Sequence, residues 1–169
     1  GAMTIGGKLV NNGNFNILSN ANYTGSLIDN GTVIGNGEFA VQHYLSSDEK
    51  WHLVSSPVDN ANSSVFSDRS LLSYNESSDL WNNILSTDVS LSQMKGYAAT
   101  TDAASTTNDT YLFKGDINTG DFTSTLSHDG TNLESQNFNL LGNPYASSID
   151  WDLVTIPADM DDAVYFLKE

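Results

Sequence analysis

Apolar residues in this chain recur at every second position, in short runs closed by Asn, Asp, Gly and Ser, and that period is the pitch of a half-buried β-strand. Helices need a period near 3.6, which is almost absent here. The longest runs are Phe39-Ala40-Val41-Gln42-His43-Tyr44-Leu45 and Trp51-His52-Leu53-Val54-Ser55-Ser56-Pro57-Val58. Further strands are expected at 71–74, 96–100, 110–114, 122–126, 138–141 and 163–166. Turn residues divide them at Asp59-Asn60, Asn75-Glu76-Ser77-Ser78, Asn118-Thr119-Gly120 and His128-Asp129-Gly130. Residues 149–154 suit one or two helical turns opened by a Ser147 or Ser148 cap. The pattern predicts an all-β fold, an antiparallel β-sandwich or barrel-like domain.

Two repeats refine this organisation. Gly7-Lys8-Leu9-Val10-Asn11-Asn12-Gly13-Asn14-Phe15-Asn16 aligns with Gly25-Ser26-Leu27-Ile28-Asp29-Asn30-Gly31-Thr32-Val33-Ile34, an offset of 25 − 7 = 18 residues. Each unit reads as strand, Asn-Gly turn, strand, which fits an N-terminal β-solenoid-like rung segment. Two β-hairpins with type I′ Asn-Gly turns fit the same letters. The second repeat sets Trp51-His52-Leu53-Val54-Ser55-Ser56-Pro57-Val58 against Phe138-Asn139-Leu140-Leu141-Gly142-Asn143-Pro144-Tyr145, an offset of 138 − 51 = 87. The expected division is therefore a cleavage scar at 1–3, rungs at 4–37, and an antiparallel domain at 38–169 built from units 51–137 and 138–169, the latter cut short. A truncated unit leaves an edge strand open to dimerisation. Trp51 and Trp151 lie inside repeated motifs and are assigned to the core.

Charge narrows the partners. Six basic and twenty-one acidic residues give a net charge of −15, which repels phosphate backbones and anionic lipid. Nucleic acid is thereby excluded as a partner. No run of 18 apolar residues is present, so membrane insertion is not expected. The absence of cysteine removes disulfides, Cys-based zinc sites and thiol nucleophiles. Acidity, scarce Lys and abundant Asn, Ser and Thr point to a secreted or cell-surface location.

The residues also carry a family likeness. Gly25-Ser26-Leu27-Ile28-Asp29-Asn30-Gly31-Thr32-Val33 leads into Tyr44-Leu45, then Trp51-His52-Leu53-Val54-Ser55-Ser56-Pro57 and Met94-Lys95-Gly96-Tyr97. Phe113-Lys114-Gly115-Asp116-Ile117-Asn118-Thr119-Gly120 and Asn139-Leu140-Leu141-Gly142-Asn143-Pro144-Tyr145 follow, with Ile149-Asp150-Trp151. Together they resemble an accessory β module of secreted Bacteroidetes surface proteins, the cargo of type IX secretion, in the region upstream of the C-terminal sorting domain. The resemblance implies a non-catalytic module in adhesin-like or polysaccharide-degrading chains. In that family a Gly-Lys-Gly-Tyr motif stands where this chain has Met94-Lys95-Gly96-Tyr97.

No catalytic constellation stands out. His43, His52 and His128 form no closely spaced pair, and the Ser55-Ser56 and Ser147-Ser148 pairs lack a nucleophile elbow. Asp150 and Asp152 could supply a glycosidase dyad but suit backbone capping better. No cofactor is required, although structural calcium fits oxygen-rich loops, with Asp116, Asn118 and Asp121 as ligands. Asp59-Asn60 with Asp68, and Asp159 with Asp161 and Asp162, are further candidates. A polysaccharide or cell-surface glycan is the expected partner, because exposed rings stack on pyranose faces while amides read hydroxyls. Trp81 and Asn82 lead, followed by Tyr74, Tyr145 and Asn143. A structural spacer or cap between a β-solenoid and a sorting domain is the alternative, and a glycan-active enzyme comes third.

Overall fold

The computed structural model describes residues 1–46, 50–101, 109–128, 138–158 and 160. Strands β1 (Ala2–Ile5), β2 (Lys8–Val10) and β3 (Asn14–Ile17) each find a parallel partner further along the chain in β4 (Ser26–Asp29), β5 (Thr32–Ile34) and β6 (Glu38–Tyr44). The register is the same in all three pairs: Ala2 opposes Ser26, Lys8 opposes Thr32 and Asn14 opposes Glu38, each 24 residues on. The 18-residue alignment is thus corrected. Its cause is local chemistry reused at two different corners: Asn11 Oδ1 accepts from the Gly13 amide between β2 and β3, and Asp29 Oδ1 accepts from the Gly31 amide between β4 and β5. Such side-chain turns bend the chain without reversing it. Neither Asn-Gly pair takes the positive φ that a type I′ hairpin requires. Close stacking instead fixes glycine at Gly31, where a Cβ would run into the Gly7 carbonyl.

Strand β6 joins this stack to the rest of the chain. It pairs in parallel with β3 and antiparallel with β11 (Thr110–Gly115), giving the order β11-β6-β3. A second, wholly antiparallel sheet runs β7-β10-β8-β9, from β7 (Trp51–Val54), β10 (Tyr97–Thr101), β8 (Arg69–Asn75) and β9 (Leu80–Asn83). The domain is therefore all-β, with parallel and antiparallel pairs mixed. The expected antiparallel sandwich or barrel with a solenoid-like N-terminal rung segment is not found. Among the described residues all four sheets are open, none curls or closes, and the N-terminal residues supply two two-stranded parallel sheets plus the edge of a third. Within 122–126 and 138–141 no strand forms, only a bridge from Leu141 to Lys95. The 149–154 stretch yields a 3₁₀ turn at Trp151–Leu153, capped by Asp150 instead of a serine. The strand expected at 163–166 lies outside the described residues.

The core forms where the β6–β11 pair faces the inner side of the four-stranded sheet. Val41, Phe113 and Tyr111 meet Leu71, Tyr97 and Ala99 there, with Phe66 from the 3₁₀ turn Ser63–Phe66 wedged among them. The Phe66 ring stacks on Tyr111 at 5.3 Å and meets Phe113 edge-on at 5.8 Å. Burying each such ring contributes about 2–3 kcal/mol. His43 lies edge-on to Phe113 at 5.2 Å, and burial pushes its pKa below the ordinary imidazole value.

Candidate functional site

Strands β8 and β9 form a hairpin whose turn is organised by side chains. Asn75 Oδ1 accepts from the Ser78 amide at 3.2 Å and the Ser77 hydroxyl at 2.9 Å, and Asp79 takes a left-handed φ of 54° before β9 begins. This turn sets the register in which Tyr74 opposes Trp81, so both rings stand on one face, 5.3 Å apart and tilted by 57°. The Tyr74 hydroxyl donates to Asp79 Oδ1 at 2.6 Å. That bond first, then partial desolvation and the charges of Asp79 and Glu76, push the phenol pKa up to about 12. Trp81 keeps 46% of its surface in solvent. Asn83, opposite Leu72, shares the face of the rings, whereas Asn82, opposite Ser73, alternates to the other side. Of the residues proposed for glycan contact, Trp81 and Tyr74 are brought together and Asn82 is turned away.

Tyr145 and Asn143 are placed elsewhere. The Tyr145 ring packs edge-on against Phe122 at 5.5 Å, and its hydroxyl donates to the Gly120 carbonyl at 2.7 Å. Burial, then the charge of Asp121, raise its pKa. Asn143 accepts from the Tyr145 amide and donates to the Ser147 carbonyl, so its polar atoms hold its own loop. Nearby, Asn118 is 6% exposed, and its amide donates to the Ser56 carbonyl at 3.3 Å and the Pro144 carbonyl at 2.9 Å. Its Oδ1 accepts from Gln93 at 2.9 Å. Asn118 thus fastens the ends of the two Pro-terminated motifs to each other, aided by the Ser55 hydroxyl donating to the Asn143 carbonyl at 2.7 Å.

That arrangement bears on calcium. Asn118 presents its N–H groups to two carbonyls and its oxygen to Gln93. Among the described residues no three His, Asp or Glu side chains converge as a metal site. Asp59 Oδ1 accepts from the Asn60 amide at 2.9 Å, while Asp159, Asp161 and Asp162 lie outside the described residues. Asp150 accepts from the Asp152 amide at 3.2 Å, as a cap.

Two roles escaped the sequence reading. The sequence offers Asn118 as a turn residue or a calcium ligand, because nothing local announces a long-range clamp. Trp51 was assigned to the core, yet it is 41% exposed. Trp51-His52-Leu53-Val54 offers one face of Trp and Leu and another of His and Val, and hydrophobicity alone puts the first pair inside. The reverse holds, because Val54 and His52 oppose Tyr97 and Ala99 of β10, the buried side of the sheet.

These features define an all-β domain of open, mixed sheets with an aromatic pair on an edge hairpin. The chain belongs to a family described as a domain of unknown function, DUF8693, whose model matches residues 2–169. No curated protein and no solved structure matches the chain.

Proposed function

We propose that this chain is a non-catalytic accessory module of a secreted or cell-surface protein and that it binds glycan through the β8–β9 hairpin. The observation that carries the reading is the pair of half-buried Tyr74 and exposed Trp81, held in register and anchored by Asp79, with the Asn83 amide on the same face. Rings of this kind stack on the apolar face of a pyranose, and amides select its hydroxyls. The resemblance to accessory modules of type IX secretion cargo in Bacteroidetes supports the same reading. With a net charge of −15 the preferred glycan is uncharged. A glycan array and affinity electrophoresis with wild type and Trp81→Ala test it. Retardation of wild type by a neutral glycan, lost in Trp81→Ala, is the expected result. A wild type that binds nothing, with or without calcium, overturns the proposal and leaves a structural spacer as the reading.

A further inference from the structure

The outer face of the four-stranded sheet carries more than one ring pair. Directly opposed antiparallel residues share a face, as do residues two apart on a strand. From Tyr74 the face runs back along β8 to Leu72 and Ser70. Leu72 opposes Ala98 and Ser70 opposes Thr100 on β10, which in turn oppose Leu53 and Trp51 on β7. Trp51, Leu53, Leu72, Tyr74 and Trp81 therefore lie on one surface that crosses the whole sheet. Burial confirms the parity: Trp51 and Leu53 are 41% and 44% exposed, while Leu71, Val54, Tyr97 and Ala99 on the opposite face are buried. Ala98, between Leu53 and Leu72 on the same face, is 4% exposed.

Geometry and charge restrict what this surface can accept. Trp51 and Trp81 are three strand spacings apart across the sheet and four residues apart along it, about 14 Å in each direction and about 20 Å on the diagonal. That is the reach of an oligosaccharide, not of a single ring. The residues that the register places on this face include no Asp, Glu, Lys or Arg, in a chain with twenty-one acids. Asp79 stands at the margin, engaged by the Tyr74 hydroxyl. Ser70 and Asn83 supply neutral polar groups between the apolar ones, and the Thr100 hydroxyl donates to the Lys50 carbonyl at 2.9 Å. A second copy would bring its own −15 charge against the first, and a polyanionic glycan would meet the same repulsion.

We infer that this face is an extended platform for a neutral polysaccharide chain laid diagonally across the sheet, with Trp51 and Trp81 as its two terminal stacking positions. The inference rests on the glycan-binding reading and adds Trp51 and Leu53 to it. It also predicts preference for long or insoluble chains over short sugars, since a flat face gains contacts only from a ligand that spans it.

The test is retention of the full chain on insoluble cellulose, chitin, xylan and mannan and in gels of soluble neutral polysaccharides, at low and high salt. Wild type is compared with Trp51→Ala, Trp81→Ala and the double variant, with far-UV circular dichroism and urea midpoints as folding controls. Each single variant is expected to weaken binding by about twofold to tenfold, the double variant by more, with little dependence on salt. If Trp81→Ala loses binding while Trp51→Ala retains it in full, the platform is overturned and the hairpin site survives. If wild type is retained by no neutral polysaccharide, both readings fall. A wild-type dimer that Trp51→Ala dissociates would show a homotypic interface and overturn the platform too.

Discussion

Replacing Asn118 with alanine removes a buried amide that joins two segments 87 residues apart in the sequence repeat. Three side-chain hydrogen bonds disappear: two donated to the Ser56 and Pro144 carbonyls and one accepted from Gln93. A hydrogen bond contributes about 1 kcal/mol net, and a buried carbonyl stripped of its donor costs about 1–3 kcal/mol. Ser56 and Pro144 are themselves buried, so water cannot readily replace the amide. The expected loss is about 3 kcal/mol, a fall in Tm of roughly 6–12 °C for a domain of this size. Urea unfolding followed by tryptophan fluorescence reads it as a lower midpoint at unchanged m-value. Asn118→Asp sharpens the test because it keeps the shape but offers acceptors to two acceptors. It should be less stable than Asn118→Ala at neutral pH and recover in part as the carboxyl protonates. A loss below about 0.5 kcal/mol for Asn118→Ala, or a wild-type midpoint for Asn118→Asp, would refute the clamp.

Gly31→Ala should cost about 2 kcal/mol or more, because the added methyl meets the Gly7 carbonyl, whereas Gly7→Ala projects into open space and should stay within about 0.5 kcal/mol. Equal urea midpoints for the two variants would contradict the 24-residue register. Met94 holds a left-handed φ of 57°, which costs a side-chain-bearing residue about 1 kcal/mol or more. Met94→Gly removes that cost against a larger unfolded-state entropy, for an expected net gain of about 0.5 kcal/mol in thermal unfolding. The Tyr74 phenol, raised from 10.0 to about 12 in the folded chain, stabilises the fold fully below pH 10 and ceases to as pH rises through 12. Phenolate absorbance should therefore show a late transition that Tyr74→Phe abolishes and Asp79→Asn moves back towards 10.

Much of the strand content was legible from the sequence. The alternation at 39–45, 51–58, 71–74, 96–100 and 110–114 overlaps observed strands, because period two records which side chains share a face. The second run stays extended only to Val54, and the fourth strand begins at Tyr97. The turn at Asn75 to Ser78 was equally plain, since Asn and Ser make their turn bonds locally. Residues 122–126 and 138–141 carry the same alternation but bond mostly outside any ladder: Ser127 and Asn139 pair through side chain and backbone, and Leu141 makes only a bridge. The hairpin that carries Trp81 was half legible. The pairing of the Trp81 ring with Tyr74 follows from hairpin register, but Asn82 was misplaced because strand parity puts neighbours on opposite faces.

By itself, the sequence determined most of the segments in which the chain extends, several of its turns, and a net charge of −15. Those properties depend on backbone preferences, side chains bonding their own turns, and summed charge, all of which act over a few residues or over the whole molecule at once. Only the tertiary structure decided that the parallel N-terminal strand pairs form at an offset of 24 residues, that Trp51 faces solvent, and that the Asn118 side chain joins Ser56 to Pro144. Alternation separates two faces of a strand without saying which is inside. That choice belongs to the partner strand and to whatever carbonyls it leaves in need of a donor.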